Sequence, residues 1–420
     1  MTVQVTELSN GIRVVSEYRR SLQTVAIGVW VDVGARYESA LENGHSHFLE
    51  HMLFKGTDRR GARAIAEEIE NVGGHMNAYT SRDHTTFYAR VMKDDWPLAL
   101  DVLSDIIQNS KFDADELHRE KDVIVQEIGQ SIDTPDDIVF DRLQEQAFPD
   151  QPIGRPILGS EETVRGVSRN GLMDYMKRHY QAGRTVISAA GYIDHDALVR
   201  EVEAKFCDLQ AGCGETFQPA VYEGGFHHLK DDLEQNHVVL GFPGLPFSHP
   251  DYYALQVFST VMGGGMSSRL FQEVREKHGL AYSVYSFAAS HIDTGMFGIY
   301  AGTAPEMTDG MLRVIAGEMH EIASSATGTE VERAKAQLKA GLMMLLENTA
   351  SRSEQLGRQM LLFGRPIPIA ETIERVEEVD VKAVSRVAQY VLSAGRLSAA
   401  SVGNGSPLDE EKVSGLFKPE

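Results

Sequence analysis

The stretch Gly44-His45-Ser46-His47-Phe48-Leu49-Glu50-His51-Met52-Leu53-Phe54 decides how the rest of the chain is interpreted. If this stretch is helical, His47 and His51 lie four residues apart on one face, and Glu50 is a fraction of a turn away. Two imidazoles and a carboxylate that converge in this way are typical of a zinc hydrolase. The order H-x-x-E-H is the inverse of the commoner H-E-x-x-H pattern. A buried amphipathic helix that carries two histidines by accident would give the same letters.

A second helix is predicted to begin after Asp113, because Asp113 and Glu116 have the spacing of a capping box. Glu120 and Glu127 are seven residues apart on it, so both point the same way. Val123 and Ile124 lie between them, which predicts that this face is mostly buried.

Two carboxylates on a buried face need a partner. A zinc ion held by His47, His51 and Glu127, with water in the fourth position, would be that partner, and Glu120 would then orient a ligating histidine. The alternative is that both glutamates point to solvent.

Length, charge and cysteine content limit the class of protein. The 420 residues suit two domains of about 200 residues each. The net charge of −21 excludes nucleic acid as a partner and favours cationic peptides. Cys207 and Cys213 do not form a C-x-x-C motif, so we expect free thiols in a reducing compartment. We find no signal peptide, transit peptide or membrane-spanning run, so we expect a bacterial cytoplasmic protein, with a processed chain of an organelle matrix as the alternative.

The hydrophobic pattern predicts a duplicated α+β unit. Residues 25–33 alternate as in a strand, and residues 76–81 and 85–90 read as paired strands on either side of a turn. The pattern lapses over 208–225, and the second half then repeats the first weakly. We therefore predict a metal-carrying domain over 1–207, a linker over 208–225 and a homologous metal-free domain over 226–420.

The chain resembles a known family at these motifs. H-F-L-E-H is followed 76 positions later by Glu127 within Val123-Ile124-Val125-Gln126-Glu127-Ile128, with Asp133-Thr134-Pro135-Asp136-Asp137 behind it. This arrangement is similar to the pitrilysin, or insulinase, family of zinc peptidases over essentially the whole chain. Within that family the chain looks most like the catalytic subunit of the mitochondrial processing peptidase and its bacterial relatives.

The resemblance implies a fold, a cofactor and a set of catalytic residues. Each domain would be a mainly antiparallel sheet packed with helices, and the two domains would form half of a clamshell. His47, His51 and Glu127 would bind one zinc ion per chain, Glu50 would be the general base, and Glu120 the supporting carboxylate.

The resemblance also implies substrate contacts. The strand containing Asn77, Ala78 and Tyr79 would be an exposed edge to which a peptide adds as an extra strand; from the letters alone it is equally an ordinary hairpin. Phe54 would line a pocket beside the metal, or else be plain core. Asp137 and Asp141, four apart, would bind an arginine of the substrate, or else form a solvated helix face.

The metal-free half carries a second motif. Gly263-Gly264-Gly265 predicts a loop that is flexible or has positive φ, and Arg275 and Tyr282 follow it. Their side chains are donors of the kind that stabilise a carbonyl oxygen as it gains charge. By the resemblance they would complete the active site from the opposing half of a clamshell, so we expect a homodimer in which they reach the zinc of the other chain. A heterodimer with a related subunit is the alternative.

The function expected from these features is that of a zinc metalloendopeptidase. It would cleave unfolded or basic peptides, including presequence-like segments, by zinc-activated water with a glutamate as general base. The alternative is a non-catalytic member of the family that acts as a scaffold or a peptide-binding subunit.

Overall fold

The computed structural model describes residues 3–393 and 395–418, which form two compact units. Unit 1 consists of the described residues of Met1–Gly129, Arg155–Gln218 and Met343–Ile367. Unit 2 consists of the described residues of Gln130–Gly154, Pro219–Leu342 and Pro368–Glu420. None of the described helices combines the length and the apolar character that a membrane crossing needs.

The elements follow one another in an α+β order. The first half contains β1 (Val3–Glu7), β2 (Arg13–Tyr18), β3 (Thr24–Val31), α1 (His45–Leu53), α2 (Ala62–Glu70), β4 (His75–Thr80), β5 (Thr85–Met92), α3 (Trp96–Asn109), α4 (Ala114–Ile132), α5 (Pro135–Ala147), α6 (Glu161–Gly166), α7 (Arg169–His179), β6 (Thr185–Gly191) and α8 (His195–Lys205). The second half contains β7 (Gly225–Lys230), β8 (Asn236–Pro243), α9 (Tyr252–Gly263), β9 (Ser283–Ser290), β10 (Gly295–Thr303), α10 (Thr308–Ser325), α11 (Gly328–Glu347), α12 (Thr349–Phe363), α13 (Ile369–Glu377), α14 (Val381–Ser393), β11 (Ser398–Gly403) and α15 (Glu410–Leu416).

The two units repeat one sheet topology. Among the described residues, the sheet of unit 1 has the order β1-β2-β6-β3-β5-β4, and that of unit 2 has the order β7-β11-β8-β10-β9. In each sheet one pair is parallel, β2 with β6 and β7 with β11, and the other pairs are antiparallel. Apart from β1, strand order and direction agree from sheet to sheet, so the predicted two-domain, mainly antiparallel α+β fold is confirmed.

Two helices belong to the unit that the linear order would not assign to them. Helix α5 packs on β7, β8 and β11 in unit 2, and helix α12 packs on β2, β3 and β6 in unit 1. The compact units therefore differ from the linear division into 1–207 and 226–420. As the boundary between two copies of a duplicated unit, that division and its linker over 208–225 stay a prediction.

Strand β3 is the centre of unit 1 because both of its faces are covered. Val25, Ile27, Val29 and Val31 belong to the core cluster that also contains residues of α1. On the other face, Trp30 packs with a cluster that includes two side chains of α12. The alternation in the sequence predicted the strand, but the helix that covers its second face lies more than 300 positions later, at Thr349–Phe363.

Gly357 explains how α12 approaches the sheet so closely. A Cβ atom added at Gly357 would lie 2.5 Å from an atom of the Trp30 indole, well inside van der Waals contact. The glycine is thus needed for the packing of helix on strand.

We predict that Gly357→Ala lowers the free energy of unfolding by about 1–3 kcal/mol, because the added methyl group overpacks this contact. Gly317→Ala on α10 is the matched control, since a Cβ there meets open space and alanine is favoured in helices by up to about 1 kcal/mol. Urea denaturation followed by circular dichroism measures both. A Gly357→Ala protein as stable as the Gly317→Ala protein would contradict this account of the packing.

Candidate metal centre

Helix α1 confirms the predicted helical stretch, and a buried carboxylate caps its first turn. Gly44 precedes the helix with a φ of 95°, in the left-handed region that favours glycine. The carboxylate of Glu38 accepts hydrogen bonds from the backbone N–H groups of Gly44 at 2.8 Å and Ser46 at 2.7 Å. Burial raises the pKa of Glu38 to about 7, although the hydrogen bonds from Ser46 and Gly44 oppose that effect. A carboxylate at this position satisfies N–H groups that the helix itself leaves unpaired, so it fixes where α1 begins.

Helix α4 begins as predicted. The Asp113 side chain accepts from the backbone N–H groups of Asp115 at 2.9 Å and Glu116 at 3.2 Å. The buried stripe of α4 includes Glu120 and Ile124, as expected.

Val123 does not belong to that stripe. Its side chain is 39% exposed, so the prediction that it lies on a buried face was wrong. Ile124 points into the core of unit 1, and Val123 lies one position to the side of it.

His47, His51 and Glu127 come together. One donor atom from each residue lies within 4.8 Å of the others. Among the described residues, this is the one cluster in which at least three possible metal ligands come together. The Glu127 carboxylate is 3.7 Å from His47 Nε2 and 3.5 Å from His51 Nε2. Ligands bound to zinc at about 2.1 Å in a tetrahedron are about 3.4 Å apart, so this donor set fits a zinc ion.

Glu120 contacts His51 on the side of the ring that faces away from Glu127. One carboxylate oxygen is 2.9 Å from Nδ1 of His51, and the other is 2.7 Å from the Lys55 ammonium. Burial would raise the pKa of Glu120, but the hydrogen bonds with His51 and Lys55 outweigh burial and lower it. An ionised Glu120 favours the proton of His51 at Nδ1 and leaves Nε2 with a lone pair for a metal.

His47 is also suited to ligation. Burial, followed by repulsion from His51, lowers the pKa of His47 to about 3, so its imidazole is neutral near pH 7. A neutral imidazole is the form that binds a metal.

Glu50, on α1, lies beside the three candidate ligands and contacts Thr80, the last residue of β4. The hydroxyl of Thr80 donates a hydrogen bond of 2.6 Å to a Glu50 carboxylate oxygen. Burial raises the pKa of Glu50, and the Thr80 hydrogen bond opposes that shift. Thr80, Lys55 and Glu38 were missed in the sequence, since their contacts join segments whose spacing in the chain carries no signal.

Strand β4 is the outer strand of the described sheet of unit 1. The backbone N–H of Ala78 donates to Oδ1 of Asn77 at 2.9 Å in an exposed position. Tyr79 donates a hydrogen bond to Glu354 of α12 at 3.4 Å.

Phe54, the residue that follows α1, is half-buried. Its ring centroid is 6.3 Å from that of Phe87, so it lies at the margin of the core.

Four further candidates lie in unit 2. The guanidinium of Arg275 stacks on two rings, 4.6 Å from that of Tyr282 and 4.7 Å from that of Phe271, and Tyr282 is 72% exposed. Asp137 and Asp141 are on α5, the first exposed and the second half-buried. The structure thus brings Arg275 and Tyr282 together within one unit.

The glycines before Arg275 do not have the backbone conformation that the sequence suggested. None of Gly263, Gly264 and Gly265 has a positive φ, so that part of the prediction was wrong. A Cβ at Gly263 would lie 2.2 Å from the backbone nitrogen of Ser286. At Gly263 glycine is therefore required by close approach of a strand.

Comparison with known proteins gives two family matches. Residues 13–161 match the family described as Insulinase (Peptidase family M16), and residues 166–338 match the Peptidase M16 inactive domain. In solved structures, the chain resembles a peptidase M16 inactive domain from Pseudomonas fluorescens, with a TM-score of 0.89 at 21% identity over 97% of this chain and all of that one. A chain of complex III from Candida albicans gives a TM-score of 0.88 at 23% identity, with both chains covered fully. At these identities the likeness concerns the fold.

Closer relatives agree with the family match. An "uncharacterized zinc protease" of Rickettsia felis is 40% identical over 94% of this chain and 96% of its own length. A "probable mitochondrial-processing peptidase subunit beta" of Arabidopsis thaliana is also 40% identical, over 95% of this chain and 78% of its own. The predicted resemblance is confirmed, and the chain belongs to the insulinase, or M16, family of peptidases.

Proposed function

We propose that this chain is a zinc-dependent endopeptidase that binds one zinc ion through His47, His51 and Glu127. The observation that carries the proposal is the convergence of these three donors within 4.8 Å, with Glu50 on the same helix as the two histidines. When bound there, zinc polarises a peptide carbonyl and lowers the pKa of a water molecule toward neutrality.

The chain's own residues would carry the proton transfers. Glu50 accepts a proton from the attacking water and later returns it to the leaving amine. Thr80, through its 2.6 Å hydrogen bond, holds one Glu50 oxygen and leaves the other for this work. Glu120 keeps the proton of His51 on Nδ1.

The substrate proposed is an unfolded peptide. A strand that adds to the outer edge of β4 would accept a hydrogen bond from the Ala78 N–H in place of the Asn77 side chain, and such pairing depends little on sequence. Phe54 and Tyr79 would be side-chain contacts. The net charge of −21 favours basic peptides, including presequence-like segments, and Asp137 and Asp141 would bind an arginine of the substrate.

Arg275 and Tyr282 would act on the substrate carbonyl in the active site of a second copy of the chain. Their stacked arrangement presents a guanidinium and a phenol from one surface of unit 2. This arrangement requires a dimer, and we propose a homodimer, with a related subunit as the other partner that the relatives suggest.

We predict that Glu50→Gln keeps zinc and lowers kcat by at least about 10²–10⁴-fold, because the ligands remain and the general base is lost. Zinc content by mass spectrometry and cleavage of a quenched basic peptide measure the two effects. Glu70→Gln, an exposed glutamate on α2, is the control and should retain activity.

Chelation gives the second half of that experiment. A chelator should abolish cleavage by the unaltered protein, and added zinc should restore it. Substantial activity of Glu50→Gln would refute the role of Glu50, whereas zinc binding without any cleavage by the unaltered protein would favour a scaffold or peptide-binding subunit.

Mixing two inactive variants tests the shared site. If Arg275 and Tyr282 act across the dimer, a heterodimer of Glu50→Gln and Tyr282→Phe chains contains one intact site, and random mixing restores about a quarter of the activity. Subunits are exchanged by mild denaturation and assayed on the same peptide. No recovery, with heterodimers verified by mass spectrometry, would mean that both residues act within one chain or not at all.

A further inference from the structure

We propose that a pocket at the N-terminal end of β4 is a distal subsite for one large apolar side chain of the bound peptide. This inference rests on the proposed function, because its occupant is the peptide that adds to β4. The pocket lies wholly within unit 1, has a volume of about 480 Å³, and is lined by side chains that include Leu22, Arg90, Val91, Met92, Met344 and Glu347.

The strand residues Thr24, Arg90 and Met92 of the pocket lining lie on the face of the sheet opposite to the candidate metal centre. Thr80, which contacts Glu50, pairs with Thr85, whose side chain shares a face with Phe87 and the core around α1. Arg90 pairs with His75, and its side chain points to the other face. Trp30 and α12 occupy that face as well.

The alternation of side chains along a strand predicts which residue of a bound peptide would reach the pocket. Gly73 lines the pocket and lies seven positions before Thr80, and His75 lies five before it. At about 3.3 Å per residue this spans about 17–23 Å, within reach of one extended peptide. A peptide residue paired opposite Thr80 and one about five or seven residues away project to opposite faces, so only alternate side chains can enter the pocket.

The lining favours a large, unbranched or aromatic apolar group. Met92 and Met344 are 47% and 70% exposed, so part of their apolar surface is open to a ligand. Methionine adapts its shape to different partners, so it suits a site that accepts several apolar residues. Among the described residues, the side chains of Arg90 and Glu347 in this lining make no hydrogen bond or ion pair, so both can bind the peptide backbone.

The position of the pocket beside β4 indicates that its occupant is the substrate peptide. The pocket lies at the end of the outer strand of the described sheet, where the Ala78 N–H donates to the side chain of the preceding Asn77. A peptide already paired to that edge brings its own flanking residues to the pocket without any further loss of translational entropy. Binding of an unrelated protein here would not depend on pairing with β4.

The test is a leucine scan of an alanine-based basic peptide that has a single cleavage site. We expect leucine to raise kcat/KM about tenfold over alanine at one position about five to seven residues from the cleaved bond, with little effect at its two neighbours. Met344→Lys should reduce that preference to less than about twofold. Met343→Lys, altering the preceding residue of α11, which is 41% exposed and does not line the pocket, should preserve it.

A binding measurement separates this inference from the peptidase proposal. Fluorescence anisotropy of the same peptides with zinc-loaded Glu50→Gln protein should give the same positional preference in Kd, lost in the Met344→Lys double variant. Absence of cleavage with this binding preference intact would contradict only the peptidase function. Absence of any distal preference, or a preference unchanged by Met344→Lys, would overturn the subsite.

Discussion

This site exists only if side chains from two helices that are far apart in the sequence bring their donor atoms to within four ångströms of one another. His47 and His51 come from α1, Glu127 comes from α4, and the carboxylate lies 3.5–3.7 Å from the two imidazoles. Burial makes this contact unfavourable unless the groups are compensated, since an imidazole or carboxylate loses hydration there. The hydrogen bond from His51 to Glu120 provides part of that compensation, and a cation bound between the three groups would provide the rest. Much of unit 1 can be understood as the structure that holds these two helices in place.

Each supporting contact fixes one degree of freedom of the pair. Glu38 determines where α1 begins, by accepting from the N–H groups of its first turn. Thr80 connects α1 to the outer strand β4, so the position of Glu50, the proposed base, is fixed relative to the edge that would receive a peptide. Because side chains alternate along that edge, a bound peptide would present one set of residues to the metal face and the other set to the methionine-lined pocket.

The sequence predicted what depends on local spacing. The four-residue interval of the histidines, the Asp113 cap and the alternation around β3 each reflect one helix or strand, and the structure agrees with them. Glu127 lies 76 positions after His51, so its choice as a ligand depended on the resemblance to zinc peptidases as well as on its helical spacing from Glu120.

Features that depend on tertiary contact escaped prediction. The exchange of α5 and α12 between the units leaves no mark in either helix, because an apolar stripe does not specify which sheet covers it. Val123 was misplaced for the same reason, since hydrophobicity gives a stripe but not its centre. Gly263-Gly264-Gly265 was expected to form a loop that is flexible or has positive φ, but glycine at 263 is required by the approach of Ser286, which only the folded chain brings near.

The most direct measurement is a crystal structure of the zinc-loaded protein with anomalous diffraction recorded on both sides of the zinc absorption edge. The account predicts one strong anomalous peak per chain at about 2.0–2.2 Å from Nε2 of His47, Nε2 of His51 and a carboxylate oxygen of Glu127. A peak that lies elsewhere, or one from which the Glu127 carboxylate is absent, would contradict it.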